Sequence, residues 1–316
     1  MPRIALHCSH EQIPPSRLLK SIVHAEQAGF TGGMSSDHFA PWSERQGESG
    51  FAWSFLGAAL ARTSLPFGVV NAPGQRYHPA IIAQAAASLS EMFPERLWIA
   101  LGSGEASNEH VTGERWPSKA ERNVRLRECA DVMRALFAGE EVTHDGLVRV
   151  DRAKLWTLPA KPPELLVAAV SEQTATWGSE WADGFATVNA PVERLRRMLD
   201  AFGRDDCRRV LQVHVSWAPT DEEALAIAYH QWRTNVFEPP VCWDLDTPEA
   251  FDAAAAFVRP EDVRKSVLVS SDLGQHVAWL QEVASLGFSD IAIHHVGQDL
   301  DPFIDAFGTH VLPELS

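Results

Sequence analysis

Short apolar segments alternate with longer stretches of helical periodicity along nearly the whole chain, and this restricts the fold more than any other feature. Such alternation is the signature of repeated βα units around a parallel sheet. Residues 4–8 read as a first strand. A helix over 16–28 follows, in which Leu18, Leu19, Ile22, Val23 and Ala25 form an apolar stripe at helical spacing and Gly29 suits the stop. Further strands are expected at 31–34, 65–70, 97–101, 165–169, 185–188, 210–217 and 291–295. Helices are expected near 52–62, 79–92, 119–138, 171–181, 192–202, 221–232 and 273–286, with a closing tail over 300–312. Eight such pairs predict an α/β fold, a (β/α)8 TIM barrel with insertions. The 316 residues suit a barrel of about 250 residues plus insertions. Residues 142–148, with Asp145-Gly146 at the turn, read as a hairpin outside the barrel. Residues 234–272, rich in Pro and Trp, fit no unit and are expected to form a lid over the C-terminal face. No linker divides the chain, so a single domain spanning 1–316 is expected.

Hydrophobic residues make up 45% and charged residues 22%, enough to build a sizeable core. The net charge of −15 and the lack of a polybasic run argue against nucleic acid and anionic membrane surfaces as partners. No apolar run reaches membrane-spanning length. Cys8, Cys129, Cys207 and Cys242 are far apart, which signals neither a zinc ribbon nor a disulfide framework. The start Met1-Pro2-Arg3 leads directly into apolar residues without a signal-like segment, so a cytoplasmic protein is expected.

Barrel enzymes place their chemistry at the C-terminal ends of the strands. The polar residues expected there are Glu11 after the first strand, Asp37, His38 and Trp42 after the second, Asn71 after the third, and Glu105 and Asn108 after the fourth. Within Ser35-Ser36-Asp37-His38-Phe39-Ala40-Pro41-Trp42, an imidazole that titrates near neutrality sits beside a carboxylate and an indole, a set suited to proton transfer. The plainer reading of Asp37-His38 is a turn with an Asx cap, and that of Gly102-Ser103-Gly104 is a tight turn. In the functional reading these glycines admit a flat ligand, Glu105 donates or accepts a proton, and Phe39, Trp42, Phe51 and Trp53 line an aromatic pocket. Ser171 and Thr174, at a helix start, offer amides to a phosphate, with Glu172 opposing. Most of the 11 Trp, 15 Phe and 13 His are expected to be ordinary core or surface groups.

Several segments together carry a resemblance: Ser36 to Trp42, Arg76-Tyr77-His78-Pro79-Ala80, Gly102-Ser103-Gly104-Glu105-Ala106-Ser107-Asn108-Glu109, Trp116-Pro117, Glu121-Arg122 and Ala182-Asp183-Gly184-Phe185. Over residues 1 to about 190 the chain resembles the luciferase-like flavin and deazaflavin oxidoreductases, within them the branch containing F420-dependent glucose-6-phosphate dehydrogenase. The resemblance implies hydride transfer between a small alcohol or carbonyl substrate and the cofactor. It makes Asp37 a cofactor contact, His38 the base, Trp42 a wall of the reaction centre, Glu105 an aid to protonation of the cofactor ring, and Glu11 a further active-site carboxylate. It extends the cofactor site to Val69, Val70, Asn71, Ala72, Gly104, Asn108, Val170 and Ser171, with a non-prolyl cis peptide at Val69–Val70 behind the ring. It also implies a homodimer formed through barrel helices.

Two departures matter. Val170-Ser171 stands where the sugar-phosphate dehydrogenases have a Gly-Gly pair, and their phosphate-binding lysine has no counterpart near Val188-Asn189-Ala190. Both argue against glucose 6-phosphate, and the cofactor is left open between coenzyme F420 and FMN. A flavin-dependent monooxygenase of the same superfamily is the alternative reading. A metal-dependent barrel hydrolase using His7, His38, His294 and His295 is opposed by spacing, since adjacent His294 and His295 face opposite sides of a strand. A non-catalytic flavin-binding protein is opposed by Glu11, His38, Trp42 and Glu105 occurring together.

Overall fold

The computed structural model describes residues 1–315. Eight parallel strands form the barrel: β1 (Arg3–Cys8), β2 (Gly32–Ser36), β3 (Phe67–Asn71), β4 (Leu97–Leu101), β7 (Glu164–Ala168), β8 (Gly184–Val188), β9 (Arg209–Ser216) and β11 (Asp290–His295). They pair in that order. The ring closes through β11 against β1. A hairpin of β5 (Val142–Asp145) and β6 (Arg149–Ala153) lies apart, as the Asp-Gly turn predicts. The short β10 (Leu268–Val269) pairs with β9 opposite Val215 and Ser216, beyond the point where β8 ends against Gln212.

The helices are α1 (Pro15–Gln27), α2 (Ala52–Arg62), α3 (Pro79–Met92), α4 (Ala106–Glu109), α5 (Lys119–Phe137), α6 (Glu172–Ser179), α7 (Val192–Phe202), α8 (Asp221–Trp232), α9 (Val241–Asp244), α10 (Pro248–Ala254), α11 (Leu273–Ala284) and α12 (Asp301–His310). Hydroxyls start several of them. Ser118 accepts from the Glu121 amide, Ser171 from Thr174 and Thr220 from Glu223, each satisfying an amide that the first turn leaves without a partner. Among the described residues no helix is long and apolar enough to cross a membrane.

The main core lies between strands and helices, where residues such as Leu6, Ile22, Phe67, Leu126, Phe185 and Phe307 are fully buried. A smaller cluster of Ala5, Met34, Trp98, Ala100, Leu166, Ala186, Val210 and Ala292 fills the barrel interior. Small residues there make room for the Trp98 indole. A Cβ on Gly68 would lie 1.9 Å from Trp98 Cζ2, so this strand position is confined to glycine.

At the N-terminal end of the barrel the buried Asp290 accepts from Arg3 Nη1 at 2.7 Å and Arg208 Nη1 at 3.0 Å, while Arg208 Nε reaches Glu164 at 2.7 Å. These bonds join β1, β7 and β11 to the residue that leads into β9.

Two expectations need correction. Strand β2 runs to Ser36, because Asp37 still donates its amide to Val70 O at 2.9 Å and keeps the chain in step with β3. The Val69–Val70 peptide is trans; the cis bond found among the described residues joins Pro239 and Pro240. Both valines sit in unbroken ladders, opposite Ser35 and Ser36 on one side and Ile99 and Ala100 on the other.

Candidate active site

Asp37 and His38 leave the end of β2 in opposite roles. The buried Asp37 carboxylate accepts from Asn71 Nδ2 at 2.8 Å, and Arg76 Nη2 binds its backbone oxygen at 2.7 Å. The Arg76 amide in turn donates to Glu109 Oε2 at 2.6 Å. Burial pushes the Glu109 carboxyl up, and Arg76 works against that rise. Arg76 thus ties the exits of β2, β3 and β4 together, through its guanidinium to Asp37 and its backbone amide to Glu109.

His38 points its Nδ1 at Glu11 Oε1, and Glu11 Oε2 is fixed by the Ser9 hydroxyl at 2.7 Å. Burial disfavours the imidazolium, but the charge and hydrogen bond of Glu11, joined by Glu105, outweigh it and hold His38 above its ordinary value. Burial likewise opposes ionisation of Glu11. His38 overcomes this and brings Glu11 down to about 2. With Nδ1 turned to Glu11, Nε2 is the ring nitrogen left for another partner, an arrangement chemically suited to a base with an orienting carboxylate. The Trp42 ring lies 5.0 Å from the imidazole, tilted by 45°, and packs edge-on against Trp232.

Glu105 ends the Gly102-Ser103-Gly104 turn. Burial pushes its carboxyl up, against the pull of His38 and Trp42. Gly104 has φ +84, and a Cβ there would crowd Glu109 at 3.1 Å, so the turn itself demands this glycine. At Gly102 a Cβ would meet only ordinary contacts at 3.9 Å. Asn108 Oδ1 accepts from the Phe39 amide at 2.8 Å, tying the loop after β4 to the loop after β2.

These groups surround a cavity of about 220 Å³ whose base rests on Met34, Val70, Ala168 and Ala186, the upper part of the barrel-interior cluster. Asp37, His38, Trp42, Asn71, Ala72, Gly104, Glu105, Asn108 and Val170 all line it. Glu11, Val69 and Ser171 do not. Glu11 stands behind His38, Val69 is buried in the outer core, and Ser171 uses its hydroxyl to cap α6 while Thr174 reaches the cavity. Phe39 and Phe51 are more than half exposed and Trp53 belongs to the outer core, so of the four suggested aromatics Trp42 alone lines the cavity.

His294 faces inward among His7, His214 and Trp232, whereas His295 faces outward and stacks on Phe303. Burial lowers His7 to about 3 and His214 to about 4, so this inner group is neutral at physiological pH.

Asp37 Oδ1 and Asn71 Oδ1 are buried at this site without a hydrogen-bond partner. Orphaned acceptors of this kind are costly unless a ligand supplies donors. A flat ring with N–H groups and a hydroxylated side chain, as in a flavin or deazaflavin, supplies them over an apolar base. The residues therefore fit such a cofactor.

Fold and site together define a (β/α)8 barrel with a cavity at the C-terminal ends of its strands, lined by a histidine paired with a buried carboxylate. The chain belongs to the luciferase-like monooxygenase family, whose sequence model matches residues 1–290. It is 33% identical to the F420-dependent glucose-6-phosphate dehydrogenase of Intrasporangium calvum, over all of this chain and 99% of that protein. It is 34% identical to the F420-dependent hydroxymycolic acid dehydrogenase of Mycobacterium tuberculosis, over 97% of this chain and 86% of that one. Among solved structures it is similar over the full length of both chains to an F420-dependent secondary alcohol dehydrogenase in complex with an F420-acetone adduct, with TM-score 0.91 and 27% identity. The protein is a flavin- or deazaflavin-dependent oxidoreductase.

Sequence reasoning did not single out Arg76, Glu109, Lys119, Gln212, His214 or Trp243, all of which line the cavity. Arg76 stands in a segment that carries the family resemblance, which is a usable signal. Lys119 and Trp243 come together only in the folded chain.

Proposed function

We propose that the protein is an F420-dependent dehydrogenase that oxidises a small secondary alcohol to its ketone, and the reverse. The observation that carries this is the buried Glu11–His38 pair, which leaves one imidazole nitrogen facing a cavity whose buried acceptors suit the cofactor. The named activities of the relatives support the choice of F420 over FMN.

F420 bound there would accept the hydride from the carbinol carbon. His38 takes the hydroxyl proton on Nε2, and Glu11 stabilises the imidazolium that results. Glu105, whose carboxyl burial pushes up, lines the same cavity as His38 and is the second group placed to exchange a proton there. Trp42 and the apolar base restrict water around the reacting atoms. In this reading Asp37, Asn71, Ala72, Gly104, Asn108 and Val170 contact the cofactor, and Val69 and Ser171 support them from behind.

A phosphate held beside the end of β8 is disfavoured because Asn189 there spends its amide on Ser266 O and on the His214 amide. Residues 234–272 act as the lid of this single-domain barrel, a reading supported by Trp243, which lines the cavity from α9. Two copies pair through barrel helices, where Ile81 of α3 and Val124 of α5 are exposed apolar residues; sedimentation as a monomer would refute that pairing. The four free thiols suit a reducing cytoplasm.

Titration of the purified protein with oxidised F420 and, separately, with FMN tests the assignment through cofactor absorbance and fluorescence. Saturable F420 binding followed by bleaching with isopropanol is expected. Binding of FMN alone would overturn it.

A further inference from the structure

Two fixed cations line the cavity among the described residues, and they differ in their commitments. Arg76 is held by Asp37 and Glu109. Lys119, the first residue of α5, makes no ion pair: its ammonium donates to Ser103 Oγ and lies 4.6 Å from the centre of the Trp243 ring. Nearby Arg122 sits over Trp116 at 4.0 Å and has Asp244 within 3.9 Å, so the carboxylate of this corner faces Arg122.

An ammonium with three donors, largely removed from water and given one hydroxyl and an indole face, is under-compensated. Burial accordingly lowers Lys119 to about 8, helped by Arg122 and opposed by Glu105. Its electrostatic neighbour Glu105 and its ring partner Trp243 put it on the side of the cavity that holds the proposed proton-transfer groups, whereas the orphaned Asp37 and Asn71 oxygens mark the cofactor's edge.

Resting on the dehydrogenase reading above, we propose that Lys119 is a specificity-determining residue that binds an oxyanion, carboxylate or phosphate, carried by the substrate away from its carbinol carbon. A substrate anion would complete the ammonium's hydrogen bonds in a partly desolvated site, where a charge-assisted bond is stronger than in water.

The test compares wild-type enzyme with Lys119→Met and Lys119→Arg in the ketone-reducing direction, with reduced F420. Levulinate is set against methyl propyl ketone, and dihydroxyacetone phosphate against dihydroxyacetone, so the two pairs separate a carboxylate from a phosphate. The anionic member of at least one pair should be preferred, and Lys119→Met should reduce that preference about 10- to 100-fold, mainly through KM. Lys119→Arg should restore most of it. Calorimetric titration of levulinate and inorganic phosphate into the enzyme loaded with oxidised F420 gives a readout independent of turnover.

Absence of any anion preference or anion binding in the wild type overturns the inference. So does a Lys119→Met enzyme that loses F420 affinity while keeping its anion preference, because the cation then serves the cofactor. If no ketone is reduced and yet an anion binds in a Lys119-dependent way, the dehydrogenase reading fails and the anion site stands.

Discussion

At the residue scale, the behaviour of His38 follows from its partner. A buried imidazole ordinarily loses its charged form, as His7 and His214 do. His38 keeps it because Glu11 is fixed against Nδ1, with Ser9 holding the other carboxylate oxygen. Replacing His38 with Ala should lower turnover by about 10²–10⁴-fold while F420 affinity changes little, measured by single-turnover kinetics and cofactor titration. The pH profile should report the partner. The base must be neutral to act, so kcat/KM should rise with pH through a value above the ordinary histidine range. Glu11→Gln removes the stabilisation of the imidazolium, so that rise should move to lower pH. An unmoved limb would mean that another group is the base. Asp37, His38 and Trp42 were legible in the sequence because a strand exit exposes its polar residues wherever it lies in a barrel. Arg76 and Lys119 were not, since their roles depend on loops brought together by the fold.

At the scale of elements, the strands were legible because buried parallel strands are continuous apolar runs, and β4 falls at 97–101 as read. The end of β2 was harder to place. Its sequence Gly-Gly-Met-Ser-Ser has one large apolar side chain, and its length is set by pairing with β1 and β3. Residues 234–272 resisted reading because they fold into short helices against neighbouring loops rather than repeating a unit. Asp252 of α10 accepts from Ser43 Oγ at 2.8 Å and the Glu44 amide at 3.1 Å and pairs with Arg45, which fastens this segment to the loop that carries His38 and Trp42. Losing that latch in Asp252→Ala should speed amide exchange across 248–254 by about 10-fold or more, because charge-assisted bonds of about 1.5–3 kcal/mol are removed from a local opening. Exchange unchanged from wild type would show that the segment is held by its apolar contacts instead.

At the scale of the whole molecule, stability and chemistry occupy opposite ends of the barrel. Asp290, with Arg3 and Arg208, ties strands together at the N-terminal end, far from the groups that line the cavity. Asp290→Asn should cost about 1.5–3 kcal/mol in thermal or denaturant unfolding and leave the kinetics of the folded enzyme near wild type. A kinetic defect at full folding would show that the two ends are coupled. The eightfold alternation made the barrel legible, and the resemblance reached the family. The trans Val69–Val70 bond, which sits in unbroken ladders to β2 and β4, departs from that resemblance. The central claim is direct hydride transfer between an alcohol and a deazaflavin. Isopropanol deuterated at its carbinol carbon, mixed with the enzyme and oxidised F420, tests it by mass spectrometry of the recovered cofactor. One deuterium in the reduced cofactor, with acetone as product, is the result expected. Unlabelled cofactor, or a product that has taken oxygen from O₂, would contradict it.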